Sequence, residues 1–159
     1  MVPEVVIKIA QADDAEGLSQ LALRSKGYWG YDQDFLQQCQ AELTYTPQQL
    51  VSKDYFFAKA VDVNKHQIVG FYALAYSQTE YVELEALFIE PSFIGYGFGS
   101  LLLKAACEKA SQQAYTTMVI QGEPNAESFY LKHKAKWVKN SASGSISGRF
   151  LPIFHLSLQ

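Results

Sequence analysis

Apolar and polar positions change period along this chain, and the changes mark its elements. Modest alternation predicts a first strand over residues 5–9. Leu18, Leu21, Ala22 and Ser25 then recur at helical spacing. Asp13 is placed to cap that helix, Glu16 three residues later to complete a capping box, and Gly27 to end it. An aromatic knot, Tyr28-Trp29-Gly30-Tyr31, precedes a second helix, capped by Asp32 and expected to reach Leu43 with Phe35, Leu36 and Cys39 inward. Thr46-Pro47 fits a short helical turn, proline being tolerated at a first helical position. From Tyr55 the period becomes two, predicting strands over 55–61, 68–76 and 81–89, joined closely enough to be antiparallel neighbours. A helix starting near Ser100 separates these from a strand over 115–121, so the strands on either side of it are expected to run parallel. A helix over 124–133 entered through Pro124, a strand near Trp137, a Ser/Gly-rich loop over 141–148 and a last strand over 150–158 complete the chain.

The helix near Ser100 is entered through Gly95, Gly97 and Gly99. Alternating glycines let backbone approach a ligand without Cβ atoms in the way, and a first helical turn offers unpaired N–H groups and the positive end of the helix dipole. The stretch therefore reads as an anion site of diphosphate size. It is not a P-loop, because Phe98-Gly99-Ser100 stands where Gly-Lys-Ser/Thr is needed. It matches a dinucleotide-binding loop only in part. The spacing is G-x-G-x-G, and although Glu123 lies roughly where a ribose-binding acid would, the preceding strands are consecutive and antiparallel rather than strand-helix-strand units. A glycine-rich turn without a ligand is the plain alternative.

The 159 residues suit one domain spanning 1–159, and 18% charged against 48% apolar residues is the balance of a folded globular protein. A net charge of −3 without a basic run argues against nucleic acid or an acidic membrane as partner. No apolar run approaches the roughly 20 residues of a membrane span, and the first residues lack the pattern of a signal peptide, so the expected location is cytoplasmic. Cys39 and Cys107 fall in predicted helices and read as reduced packing residues. His66, His133 and His155 lack metal-ligand spacing, so no metal is expected.

The order of elements, the stretch VELEALFIEPSFIGYGFGSLLL and the segment Asn125-Ala126-Glu127-Ser128-Phe129-Tyr130 together resemble the Gcn5-related N-acetyltransferases over nearly the whole chain. SKGYWGY near the front and SGSISGRFLP near the end are similar to a bacterial subgroup of that family. The resemblance implies an α+β fold, in which helices flank a mixed, mostly antiparallel sheet and one parallel pair of strands forms the cofactor wedge. Two departures stand out: Ile94 and Tyr96 occupy positions where the family commonly has basic or polar residues, and Lys134-Ala135 replaces its usual Gly-Phe.

What the resemblance further implies is transfer of acetyl from acetyl-CoA to a primary amine of a small molecule or peptide. Main-chain groups of Leu87, Phe88 and Ile89 would hold the pantetheine arm. Gly95, Tyr96, Gly97, Phe98, Gly99 and Ser100 would hold the diphosphate, with Asn125 nearby. Tyr130 would act as general acid, or fill the core as an ordinary tyrosine. An alkyl ammonium, of pKa about 10, must lose a proton before attack. Glu85 is the favoured base over Glu83, both expected on one side of their strand in phase with Leu87 and Ile89, with Glu123 as a third candidate. Tyr28, Trp29, Tyr31 and Arg149 would wall the acceptor, with Asp32 and Asp34 beside them, or the aromatics would simply seal the core. A silent acyl-CoA-binding module is the rival reading, and the sequence leaves room for a homodimer.

Overall fold

The longest purely apolar strand sets the centre of the molecule. Residues IVGFYALA are followed by no polar alternation, the signature of a strand covered on both faces. In the computed structural model, which describes residues 2–159, they form β3 (Ile68–Ala75). Around it lie β1 (Val5–Ile9), β2 (Tyr55–Asp62), β4 (Val82–Ile89), β5 (Thr117–Gln121), β6 (Lys136–Ala142) and β7 (Phe150–Ser157) in one seven-stranded sheet of order β1-β2-β3-β4-β5-β7-β6. Every pairing is antiparallel except β4 with β5.

Helices cover both faces. On one, α1 (Ala15–Gly27) packs Leu18, Leu21 and Ala22 with Phe57, Phe71 and Ala73. The short α2 (Gln33–Cys39) and α3 (Pro47–Val51) extend that layer through Cys39 and Leu50. On the other, α4 (Phe98–Gln112) lays Leu102, Leu103, Ala106 and Ala110 over Val69, Tyr72, Leu74 and Met118. The last helix, α5 (Glu127–Lys132), follows a 3-10 turn, Pro124–Ala126, and buries Tyr130.

Local chemistry explains where elements begin and end. Asp32 accepts from the Phe35 N–H at 2.8 Å, and Thr46 and Gln49 bond each other's backbone N–H groups around Pro47. The first helix corrects the sequence reading. A 3-10 turn, Ala12–Asp14, precedes it, and Asp14 rather than Asp13 accepts from the Gln11 N–H at 2.8 Å. Lys59 on β2 also bonds Asp14, at 2.8 Å, and fixes that carboxylate against the sheet. The second helix ends at Cys39, short of Leu43, and the chain continues through turns. Strand β6 runs on to Ala142 because Ser141 and Ala142 pair with Leu151 and Phe150, so the Ser/Gly loop starts later than expected.

One irregularity positions everything that follows. Ala73 pairs with Ala86 while the next residue, Leu74, pairs with Leu84, leaving Glu85 as the extra residue of a β-bulge. Phase changes across it. Leu84 and Leu87 both pack on the α4 side, while Ala86 and Phe88 pack on the α1 side. Period-two alternation therefore does not carry from Glu83 to Leu87 and Ile89, and the expected common side is replaced by a break at the bulge. Parallel pairing with β5 also stops there, at Leu84 opposite Ile120, although β4 continues to Ile89.

Where α4 crosses β3, Gly70 leaves no room for a side chain: a Cβ there would lie 2.8 Å from both the Phe88 carbonyl oxygen and Ile89 Cδ1. Gly70→Ala should destabilise the fold by about 1–3 kcal/mol, the usual cost of overpacking. Urea unfolding would show this as a lower midpoint at unchanged slope, and an unchanged midpoint would refute the close approach.

Candidate functional site

Beyond Leu84 the edge of β4 that faces β5 has no strand to pair with, since β5 ends at Gln121 while β4 runs on to Ile89. Residues 85–89 thus offer main-chain donors and acceptors to a cleft. Its far end is the turn into α4. Gly95 and Gly97 have φ of 97° and 85°, left-handed values that L side chains rarely adopt, and open space lies where their Cβ atoms would be. Gly97 is the N-cap of α4 and supplies no side-chain cap, so the first-turn N–H groups remain for a ligand. Phe93, Tyr96 and Phe98 pack as an aromatic cluster beneath the turn. Ile94 and Tyr96 are exposed, and the turn from 94 to 100 carries no charge. The donor set is backbone, which fits an extended anion such as a diphosphate without a metal. Ser100 is the exception in offering a side chain, and its Oγ lies 2.8 Å from His133 Nε2.

Two clefts meet here. The first, of about 400 Å³, runs from the end of α1 along Leu87, Phe88 and Ile89 to the glycine turn, with Asn125 and Tyr130 opposite. The second, of about 490 Å³, opens on the other side of the bulge and is lined by Glu42, Tyr45, Glu83 and Glu85. Lys26, Leu87, Phe88, Glu123 and Tyr130 line both.

Tyr130 stands at the junction. Its ring packs between Phe129 and Phe154, with centroids 5.2 and 5.5 Å away, and only 7% of the residue is exposed. Among the described residues no buried side-chain oxygen lacks a partner, and its hydroxyl bonds no protein group, so the hydroxyl opens on the clefts. Burial, helped by the charge of Glu123, pushes its pKa well above the usual tyrosine value, so the proton stays in place at neutral pH.

Glu123 lies just past the end of β5, at the head of the 3-10 turn Pro124–Ala126, where it is the focus of an ion cluster. Lys26 and Tyr31 donate to its two oxygens, Asn125 Nδ2 donates to Oε1 at 2.7 Å, and Arg149 approaches Oε2 at 3.4 Å. Arg149 also donates to the Tyr31 hydroxyl at 2.7 Å and lies over the stacked rings of Tyr31 and Phe35. Burial pushes the Glu123 carboxyl up, but the bonds from Lys26 and Tyr31 and the Lys26 charge outweigh it and hold the pKa below the usual carboxylate value. Burial and Glu123 push Tyr31 up to about 12. Glu85 goes the other way from Glu123: partial loss of hydration in the cleft pushes its pKa up, and the charges of Glu83 and Glu42 add to the rise.

The structure therefore sorts the residues singled out in the sequence. Leu87, Phe88, Ile89, Gly95, Gly97, Phe98, Gly99, Ser100, Asn125 and Tyr130 border the first cleft, with Tyr96 against the turn beside it. Glu83 and Glu85 border the second. The aromatic knot is divided: Trp29 lines the first cleft, Tyr31 and Arg149 are bonded into the Glu123 cluster, and Tyr28 lies edge-on to Trp29 with half its surface exposed. Glu42 and Tyr45 reach the site without a sequence signal, because each belongs to a connection with no motif of its own, while Lys26 lies inside SKGYWGY, where the aromatics rather than the lysine draw notice.

The Acetyltransferase (GNAT) domain family matches residues 13–134, and the chain belongs to that family. No curated protein matches it by sequence. Its fold is similar to the PaiA N-acetyltransferase of Thermoplasma acidophilum in complex with coenzyme A, at 17% identity and a TM-score of 0.74, with 97% of this chain and 99% of that one covered. A GNAT-family acetyltransferase of Staphylococcus aureus Mu50 has 16% identity and a TM-score of 0.74, covering 98% and 100%. An aminoglycoside 6'-N-acetyltransferase complexed with coenzyme A has 14% identity and a TM-score of 0.71, covering 97% of each chain. At these identities the likeness is one of fold: a mixed sheet with one parallel pair, flanked by helices. No helix among the described residues is long and apolar enough to cross a membrane, and those residues hold no cluster of three or more metal-ligating side chains.

Lowering the pKa of Glu123 links it to stability. A carboxylate whose folded pKa lies below its unfolded value contributes stability that is present above about pH 4.5 and lost as pH falls through the folded value. Glu123→Gln should remove that contribution and leave Lys26 and Arg149 facing each other. The three side chains are 14–16% exposed. The cost should therefore be about 1–3 kcal/mol at pH 7, below the ~3–5 kcal/mol for breaking a fully buried pair. Denaturation curves from pH 7 to 3 should converge for the two proteins, and a constant gap would contradict the cluster's role.

Proposed function

We propose that this chain, acting as a single domain over 1–159, transfers the acetyl group of acetyl-CoA to a primary amine without a metal. The observation that carries the reading is the divergence of β4 from β5 directly over an uncapped helix start, with the Tyr130 hydroxyl at the point where two clefts join. The diphosphate would lie on the N–H groups of residues 95–100, and the pantetheine arm along Leu87, Phe88 and Ile89 as an added strand lies on a sheet edge. Asn125 would border this arm while remaining bonded to Glu123. The amine would enter through the second cleft, so that the two substrates approach the thioester from opposite sides.

Two proton movements are then required. The ammonium loses one proton to solvent by way of the base, so that its nitrogen can attack the thioester carbonyl, and the second proton that this nitrogen sheds after attack is matched by the one the departing sulfur gains as the carbon–sulfur bond breaks. Glu85 suits the first, through a water, because a carboxylate of raised pKa is a stronger base and the bulge turns it into the acceptor cleft. Glu83 beside it accepts a bond from Ser77 Oγ at 3.0 Å, which makes it the less available of the two. Glu123 is the poorest candidate, being held ionised by Lys26 and Tyr31. Tyr130 suits the second movement, since burial keeps it protonated. The products are an amide and coenzyme A with a free thiol.

The test is release of thiol from acetyl-CoA in the presence of a panel of amines. Tyr130→Phe removes only the hydroxyl, so acetyl-CoA affinity should stay near that of the parent while turnover falls by about 10²–10⁴-fold, the range of a positioned general acid. Binding of acetyl-CoA without thiol release for any amine would favour a silent binding module. Full turnover by the phenylalanine variant would place the acid elsewhere.

A further inference from the structure

The second cleft carries a charge imbalance that acetyl transfer alone does not explain. Five ionisable side chains of ordinary charge line it: Lys26, Glu42, Glu83, Glu85 and Glu123. Lys26 is spent on Glu123, which Arg149 also approaches at 3.4 Å. The remaining three, Glu42, Glu83 and Glu85, form no ion pair among the described residues. Their protein partners are neutral: Ser145 Oγ donates to Glu42 at 3.2 Å, and Ser77 Oγ donates to Glu83 at 3.0 Å. Three carboxylates facing one cavity repel one another, and only one of them is needed as a base.

A second feature points into the same cavity. Tyr45 is 6% exposed and its ring is packed edge-on against Phe57 and Phe71, yet its hydroxyl bonds no protein group. No buried side-chain oxygen among the described residues is orphaned, so this hydroxyl ends in the cleft, within reach of the fields of Glu42 and Glu85. A phenol held there is an acceptor for an ammonium N–H as well as a donor to a carboxylate. Together these groups can satisfy several N–H donors at once.

We propose that the acceptor is a small polycationic amine, such as a linear diamine or polyamine, with one nitrogen at Glu85 and Tyr130 for acetylation and a second ammonium held between Glu42 and the Tyr45 hydroxyl. The inference rests on the acetyl-transfer reading and names its substrate class. Neutral Ser77 and Ser145 fix the two flanking carboxylates without neutralising them, which leaves the charge for the ligand. An acceptor carrying a carboxylate in place of the second ammonium would bring a fourth negative charge into the cavity and be rejected.

The experiment compares three four-carbon amines with saturating acetyl-CoA: 1,4-diaminobutane, 1-aminobutane and 4-aminobutanoate. The expected order of kcat/KM is diamine, then monoamine, then the amino acid, with about tenfold or more at each step. Glu42→Gln keeps an oxygen for Ser145, and should raise the diamine KM about tenfold while leaving kcat, the acetyl-CoA KM and the monoamine KM near the parent values. Tyr45→Phe should do the same to a smaller degree. Equal use of the three amines by the parent would overturn the inference while leaving acetyl transfer intact. If no amine turns over, calorimetric titration of the coenzyme A complex with 1,4-diaminobutane decides. Binding weakened by Glu42→Gln supports the dicationic site, and either no binding or binding untouched by Glu42→Gln overturns it, while the transfer reading stands or falls on the wider amine panel.

Discussion

The extra residue in β4 is the constraint on which the site depends. Without a bulge at Glu85, β4 would keep one phase against β3 from Val82 to Ile89, whereas its side chains now change phase where the pairing with β5 stops and two clefts meet. Inserting one residue bends and twists the strand. That bend falls where the β4 edge over residues 85–89 becomes free, and it aims Glu85 into the cavity on the α1 side while Leu87 stays on the α4 side. The two clefts thus meet at a single irregularity and lie on either side of one strand.

A backbone that does the binding tolerates side-chain change. The turn from 94 to 100 carries no cation, and its aromatic side chains pack beneath it. What remains for an anion is a set of N–H groups oriented by two left-handed glycines and by the start of α4. Each charge-assisted hydrogen bond to a phosphate oxygen contributes roughly 1.5–3 kcal/mol, and these donors are fixed before the ligand arrives. The second cleft is built by the opposite means. Its character comes from side chains gathered from β4, the turn after α2 and the approach to α3, so it can vary while the backbone turn stays the same.

This difference explains what could be read from the sequence. The glycine turn was legible because glycine spacing, a preceding strand and a following helix are all local. Tyr130 was legible through the segment around Asn125. The strands from Tyr55 to Ile89 were legible from their period. The bulge was not, because VELEALFI alternates well enough to hide one extra residue, and only pairing with Ala73 and Leu74 reveals it. Likewise Tyr31 and Arg149, which read as acceptor contacts, are 118 residues apart and meet at the Tyr31 hydroxyl beside Glu123. Glu42 and Tyr45 carry no motif at all, and long-range folding alone sets them opposite Glu83 and Glu85.

The most direct measurement of the central claim is hydrogen exchange, with and without coenzyme A, on peptides covering residues 85–89, 94–100 and 69–75. If β4 presents an unpaired edge and α4 an uncapped start, the first two should contain fast-exchanging amides in the free protein, those of 85–89 that do not bond β3 among them, and these should slow markedly when coenzyme A is bound. The third, buried in β3 and already paired on both sides, should be unchanged. Saturable coenzyme A binding with no added protection at 85–89 and 94–100 would contradict the account.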